Sequence, residues 1–398
     1  MPIRPMSVLR RNVEGVILYN KAKAYEGYTL FIATGCLDVW LIDMYGRFVH
    51  RWRVPNPTGL HGYLLPNGNL LYCGRKGLEE CDEKLRHLGT ALAGRGGDII
   101  EMDWDGNLVW KYEDQYQNHT ICRMSNGNTL ISRFIWIPDE LRVRVRGGIP
   151  GTERLPNGEY AMWTDGFQEV TPDGKVVWEW SAIDHLDPEK NTICPLCPRS
   201  EWTHSNSAVE LPDGNIVFCY RHISTIGIID KPTGKIIWQW GPGEVFHQHD
   251  PTLVENGNFL LFDNGSHRLD PNGEGINYSK VLEVNPRTNK IEWEYKASPP
   301  QSFYSWLMGG CQRLPNGNTL ICDSEIGRTF EVTREGEIVW DYTFPFYSDY
   351  LPIFRLANHV FRAYRYGPDF PGLKGKDLDP SKFDFINRLF DPYDGDVY

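Results

Sequence analysis

Five of the eleven histidines fall at matching places along the chain: His61 in GLHGY, His119 in QNHTI, His204 in WTHSN, His249 in HQHDP and His359 in ANHVF. Each stands before or at the start of a short apolar run. Imidazole titrates closest to neutrality of any side chain, so it serves as nucleophile, acid, base or metal ligand. A single strand histidine is commonly a satisfied structural group, but five in register point to a shared site. Arginines follow a related pattern: Arg75, Arg133 and Arg221 come six or seven residues after Gly68, Gly127 and Gly214. A surface arginine covering apolar area competes with a site role, most strongly for Arg75. Imidazoles gathered with guanidiniums make an anion site, because arginine offers a planar donor fork to tetrahedral oxyanions. Asp250, Asp263 and Asn264 are spaced to orient imidazoles through the second ring nitrogen.

The elements that must carry these residues repeat. LPNGNLLYCGR starts at Leu65, MSNGNTLISRF at Met124, LPDGNIVFCYR at Leu211, VENGNFLLFDNG at Val254 and LPNGNTLICDS at Leu314, with a fainter LPNGEYAMW at Leu155. Apolar runs flanking Asn-Gly or Asp-Gly predict hairpins. A second phrase ends in a strand marked by Trp52, Trp110, Trp178, Trp238, Trp293 and Trp340, spaced 47 to 68 residues apart. A third strand lies between the two each time (VWLIDM, DIIEMD, FQEV, TIGIID, KVLEV, RTFEV). Four strands per repeat at this period describe a six-bladed β-propeller, all-β, with antiparallel blades. The first unit lacks an inner strand, and ANHVFRAYRY near 353–366 is patterned to supply it. We therefore expect residues 1–398 to form one domain, the C-terminal strand completing blade one and 367–398 forming a peripheral tail.

Propeller topology places the short turns on one face and the long segments 76–97, 137–152, 181–202 and 266–279 on the other. The histidines sit at the insertion-bearing end, where inner strands converge on the axis. Trp136, Trp163, Trp202, Phe246 and Tyr278 are candidate walls for an aromatic ligand.

A net charge of -11 argues against nucleic acid or an anionic membrane as principal partner. No apolar run is long enough to span a bilayer, and the start lacks a signal-peptide pattern, so the expectation is a cytoplasmic protein. Cys73, Cys219 and Cys322 fall in expected buried strands and act as small hydrophobes. Cys194 and Cys197 form a CPLC pair in a loop; without a second pair or a βαβ context, the sequence favours two neighbouring loop cysteines over a metal or redox motif. No amphipathic partner helix is evident, so oligomeric state stays open.

With AYEGYTLFIA…VWLIDMYGRFVHRW, THSNSAVELPDGNIVFCYR and FHQHDPTLVENGNFLLFDNG in view, the chain resembles the bacterial arylsulfate sulfotransferases that use no nucleotide sulfate donor. The resemblance covers most of the chain and implies a six-bladed propeller. It implies transfer of a sulfuryl group between phenols through a sulfohistidine, without a cofactor, on a small aromatic substrate. Carried over by motif, His249 would be the nucleophile, with His204 and His119 as acid/base partners or hydrogen-bond donors to sulfate. Arg221 would hold the sulfate oxygens. His61, His359, Arg133 and Asn264 complete the candidate substrate contacts.

The rival reading is a metal-dependent hydrolase, lyase or oxidoreductase. Three or more of His61, His119, His204, His249 and His359 would then hold one divalent transition metal with positions left open for substrate. A propeller serving only as a binding platform is the third, although such platforms present open faces rather than axial histidines.

Overall fold

A computed structural model describes residues 14–88, 94–155, 157–268, 277–348 and 357–390. Six antiparallel blades follow one another, each running from an inner strand to an outer one. Blade one is Val360–Tyr366, Tyr28–Ala33, Asp38–Ile42 and Phe48–Arg53. Blade two is Thr58–Leu64, Leu70–Arg75, Gly97–Met102 and Leu108–Glu113; blade three is Gln117–Arg123, Thr129–Trp136, Trp163–Val170 and Val176–Ser181. Blade four is Ser205–Glu210, Ile216–Tyr220, Thr225–Asp230 and Lys235–Trp240; blade five is His249–Leu253, Phe259–Asp263, Lys280–Asn285 and Lys290–Tyr295. Blade six is Gly310–Arg313, Thr319–Asp323, Arg328–Val332 and Ile338–Thr343. The C-terminal strand does complete blade one, pairing Tyr28 with Tyr366 and Phe31 with Ala363.

The repeated phrases have identifiable physical jobs. In the first, Gly68 N donates to Leu65 O and Leu65 N to Asn69 O, a three-residue connection that ends on Gly68 at φ +88°. Only glycine takes that left-handed position without strain. In four of the five hairpins the asparagine after the glycine then reaches a glutamate on the third strand: Asn69 bonds Glu101, Asn128 bonds Glu169, Asn258 bonds Glu283 and Asn318 bonds Glu331, whereas Asn215 of blade four bonds Asp213 within its own turn. Each of these glutamates is buried and also meets a cation from the next blade, namely Arg123, Lys231, Arg313 and Arg365. A buried carboxylate costs stability unless it is paired and bonded, so the motif specifies which blades adjoin.

The tryptophans do the same at the rim. The indole N–H of Trp52 donates to Asp103 O, Trp110 to Pro172 O, Trp178 to Lys231 O and Trp293 to Arg334 O, each in the following blade. Trp238 reaches the Asn289 side chain, and Trp340 closes the circle onto Met44 O of blade one at 2.8 Å.

Three features depart from the sequence reading. Gly15–Tyr19 adds a fifth strand outside blade six, pairing with Ile338–Thr343. The faint hairpin at Leu155 is not a blade hairpin; it lies in the blade-three insertion, held by an isolated Arg154–Tyr160 bridge. The CPLC segment is a strand, Ile193–Pro198, running parallel to Gly147–Ile149 and tying two insertions together. Of the tail, residues 380–390 pack on blade one, where the Asn387 amide bonds both N–H and C=O of Phe48. Among the described residues no helix is long and apolar enough to cross a membrane.

Candidate active site at the propeller axis

Inner strands deliver His119, His204 and His249 to one buried cluster. The His119 and His204 rings meet edge to face with centroids 4.8 Å apart, and Phe361 lies 6.0 Å from His119 and 6.2 Å from His249. His119 and His204 adopt positive φ (41° and 55°), as does Asp250 beside His249 (57°). Non-glycine residues hold such conformations only where their surroundings over-determine them, a mark of functional sites. For His204 the surroundings are explicit. Asp165 accepts from Ser205 N at 2.7 Å and from the hydroxyl of Thr203, and Asn118 also donates to it. Arg221 N bonds His204 O, and His222 N bonds Thr203 O.

The hydrogen bonds set the tautomers. Asn264 donates its amide N–H groups to Ser305 O and Met308 O, so its Oδ1 can only accept. His249 Nδ1 lies 2.7 Å from that oxygen and must carry the proton, leaving the Nε2 lone pair unencumbered. His204 Nδ1 lies 2.8 Å from Glu201 Oε2. His222 stacks on His204 at 4.6 Å and donates Nδ1–H to Glu201 O.

Burial dominates the electrostatics. It holds His119, His204, His222 and His249 well below the usual histidine range, with His204 and Arg221 lowering His119 further and Arg221 lowering the others. All four are neutral at pH 7. Burial raises Glu201 to about 8, opposed by nearby Arg221, and Asp165 to about 7. The Glu201–His204 pair therefore shares one proton that sits on the carboxyl. Arg221 is buried, bonds Trp306 O at 3.3 Å through Nη2, and leaves Nε without a partner among the described residues. Arg362 pairs with Asp250 at 3.2 Å and bonds Asn206 O, its Nε likewise unpartnered. Each of these two cations thus keeps one buried donor without an acceptor among the described residues, which is costly unless something else supplies the acceptor.

Other sequence candidates are placed differently. His61 Nε2 lies 2.9 Å from the Tyr364 hydroxyl, and Ile121 N faces its Nδ1 at 3.4 Å, so both ring nitrogens are engaged. Arg133 makes a two-bond ion pair with Asp114 at 2.8 and 3.2 Å. His359 precedes the inner strand of blade one, with burial lowering it to about 4. Asp263 pairs with Arg268 and accepts Phe246 N, fixing a loop rather than an imidazole. Trp163 and Trp202 are fully buried core, Trp136 packs edge-on to Trp163, and Phe246 and Tyr278 flank Arg268, so these aromatics serve packing. Sequence reasoning missed Glu201, His222 and Arg362. Glu201 stands three residues before His204, and His222 follows Arg221 directly; neither falls at the hairpin register that flagged the others.

The arylsulfotransferase (ASST) family profile matches residues 94–345, well over half the chain. The chain belongs to the arylsulfotransferase family. Among solved structures, a protein of unknown function from Bacteroides caccae is 12% identical, covers 84% of this chain and 97% of its own, with a TM-score of 0.50. A streptogramin B lyase (13% identity, 85% of each chain, TM-score 0.45) and the hydrazine synthase of Kuenenia stuttgartiensis (11%, 84% of this chain and 81% of that one, 0.45) are more distant in shape. At such identities the likeness is one of fold. No curated protein sequence matches the chain. The matched region contains His119, Glu201, His204, Arg221, His249 and Asn264; blade one, with His359 and Arg362, lies outside it.

Proposed function

We propose that this arylsulfotransferase-family chain moves a sulfuryl group between phenolic compounds through a sulfohistidine on His249. The observation carrying this reading is the fixed tautomer of His249, a buried neutral imidazole with its Nε2 lone pair free near Arg221, whose Nε has no acceptor among the described residues. A neutral imidazole needs no base to act as nucleophile.

In the first half-reaction the aryl sulfate places its oxygens against Arg221 and His119. Nε2 of His249 forms a bond to sulfur as the bond from sulfur to the aryl oxygen breaks. The cation neutralises charge on the equatorial oxygens. The leaving phenolate takes the Nε2 proton of His204 while Glu201 delivers its carboxyl proton to His204 Nδ1. His204 ends neutral in the other tautomer and Glu201 ends as a carboxylate. In the second half-reaction an acceptor phenol gives its proton to His204 Nε2 as its oxygen takes the sulfuryl group from His249, while the Nδ1 proton of His204 returns to Glu201, which restores the starting state. Burial of the site keeps water from hydrolysing the intermediate.

The test is turnover of a nitrophenyl sulfate with phenol as acceptor, coupled to mass analysis of the quenched enzyme incubated with donor alone. Sulfuryl on the peptide containing His249, absent from His249→Ala, is the expected result. A wild-type enzyme that transfers sulfate with no such adduct sinks the reading.

One observation favours a second reading. The ligand atoms of Glu201, His204 and His222 lie within 4.8 Å of one another, a two-histidine, one-carboxylate set suited to a divalent ion. This set differs from the five axial histidines singled out by sequence. A metal lost on Glu201→Gln would favour it over the proton relay.

A further inference from the structure

We propose that Cys194, Cys197, His247 and His267 form a structural zinc site that braces the active-site loops. The four side chains come from three separate stretches of chain, and their ligand atoms all lie within 4.8 Å of one another. Cys197 Sγ is 3.0 Å from His247 Nε2 and 3.8 Å from His267 Nδ1, and Cys194 Sγ is 3.4 Å from His267 Nδ1. Tetrahedral zinc with bonds of about 2.3 Å to sulfur and about 2.0–2.1 Å to nitrogen has ligand–ligand edges of about 3.3–3.8 Å. The cluster has the size, ligand number and donor chemistry of a Cys2His2 site. The sequence showed only the CPLC pair; folding supplies the two histidines.

Three further observations fit this use. His247 and His267 both adopt positive φ, 61° and 57°, a conformation costly enough to require a reason. His247 donates Nδ1–H to Ser266 O at 2.6 Å, which leaves the Nε2 lone pair aimed at Cys197. That outer bond is the usual way a ligating imidazole is oriented. With four protein ligands the coordination sphere is closed, as in structural rather than catalytic sites. Binding forms two zinc–sulfur and two zinc–nitrogen bonds and releases the two thiol protons to solvent.

The site touches the chemistry on two sides. His247 O lies 3.1 Å from His249 Nδ1, and Cys194 N donates to His222 O at 2.8 Å. Arg221 also faces Cys197. The ion would thus hold the strand start that carries His249 and the loop that carries His222, without contacting substrate.

Elemental analysis of the full chain purified without chelators tests this directly. About one equivalent of zinc is expected, retained in His249→Ala and Glu201→Gln and lost in Cys194→Ser/Cys197→Ser. Cobalt exchanged into the wild type should show tetrahedral ligand-field bands and a thiolate charge-transfer band, which His267→Asn, at a half-buried ligand, should alter without unfolding the chain. Three results overturn the proposal: no metal after incubation with zinc or cobalt, metal retained by the double serine variant, or a Cys194–Cys197 disulfide in the native protein. Because the readouts are metal content and spectra, they stand or fall separately from sulfuryl transfer.

Discussion

Asn264 Oδ1 accepts from His249 Nδ1 at 2.7 Å while the same amide spends both its N–H groups on Ser305 O and Met308 O. The two carbonyls fix the amide, the amide fixes the tautomer, and the tautomer leaves the Nε2 lone pair free, as the proposed nucleophile requires. Asn264→Ala removes the orientation but not the imidazole. We expect kcat to fall by about 10²-fold, toward the lower end of what a positioned proton-transfer group contributes, with KM little changed. Loss of KM with kcat intact would show that Asn264 binds substrate and does not position His249. Steady-state kinetics on a nitrophenyl sulfate separates the two.

Gly94 tests the packing above His119. A Cβ built there would overlap the imidazole, and Gly94 sits at φ +92° with its carbonyl accepting from His119 N. Gly94→Ala therefore forces His119 out of place as well as straining the backbone, a penalty of about 1–3 kcal/mol. The expected outcome is a loss of activity far larger than the loss of thermal stability. Equal activity with a lower melting temperature would remove His119 from the machinery.

Ring closure makes a stability prediction. Trp340 is fully buried and donates to Met44 O across the seam between blades six and one, whereas the equivalent bond of Trp110 lies at the exposed rim. Trp340→Phe leaves a buried carbonyl without its donor, costing about 1–3 kcal/mol; Trp110→Phe should cost less than about 1 kcal/mol. Urea unfolding of the two variants gives the comparison. Equal effects would mean that the seam is no more dependent on this bond than the open rim.

The fold was legible because its signals are local and periodic. Asn69 with Gly68, and Trp110 behind its own turn, each announce an element within a few residues, and repetition removes ambiguity. The grouping of His119, His204 and His249 was legible for the same reason, since they share a register, but that register also pointed to His61, whose ring nitrogens are engaged by Tyr364 and Ile121. Glu201 and His222 were not, since they take their meaning from His204 only after the blade-four loop folds over Asp165. Arg133 misled because its offset from the hairpin resembles that of Arg221, yet Asp114 lies within reach and claims it. Cys194 and Cys197 appeared isolated because His247 and His267 are fifty or more residues away in sequence and join them only through loop closure.

In the proposed relay Glu201 ties turnover to stability through a single proton. Burial raises its carboxyl to about 8 from an ordinary 4.5, so the folded protein keeps this proton long after the unfolded chain has lost it. The folded state then binds more protons than the unfolded one between about pH 4.5 and 8. Stability falls with rising pH across that window and levels off above it. Glu201→Gln replaces the carboxyl with a neutral amide that can still donate to His204 Nδ1 but cannot release a proton. Activity should drop by about 10²–10⁴-fold, while the variant becomes more stable than the wild type at pH 8 and above and gains little near pH 5. In the wild type kcat/KM should decline as pH rises through about 8, where the relay loses its proton. Melting curves and rate profiles measured from pH 5 to 9 check both halves. A variant destabilised equally at every pH would mean that Glu201 is held ionised as a structural partner of His204, and the relay would have to be abandoned.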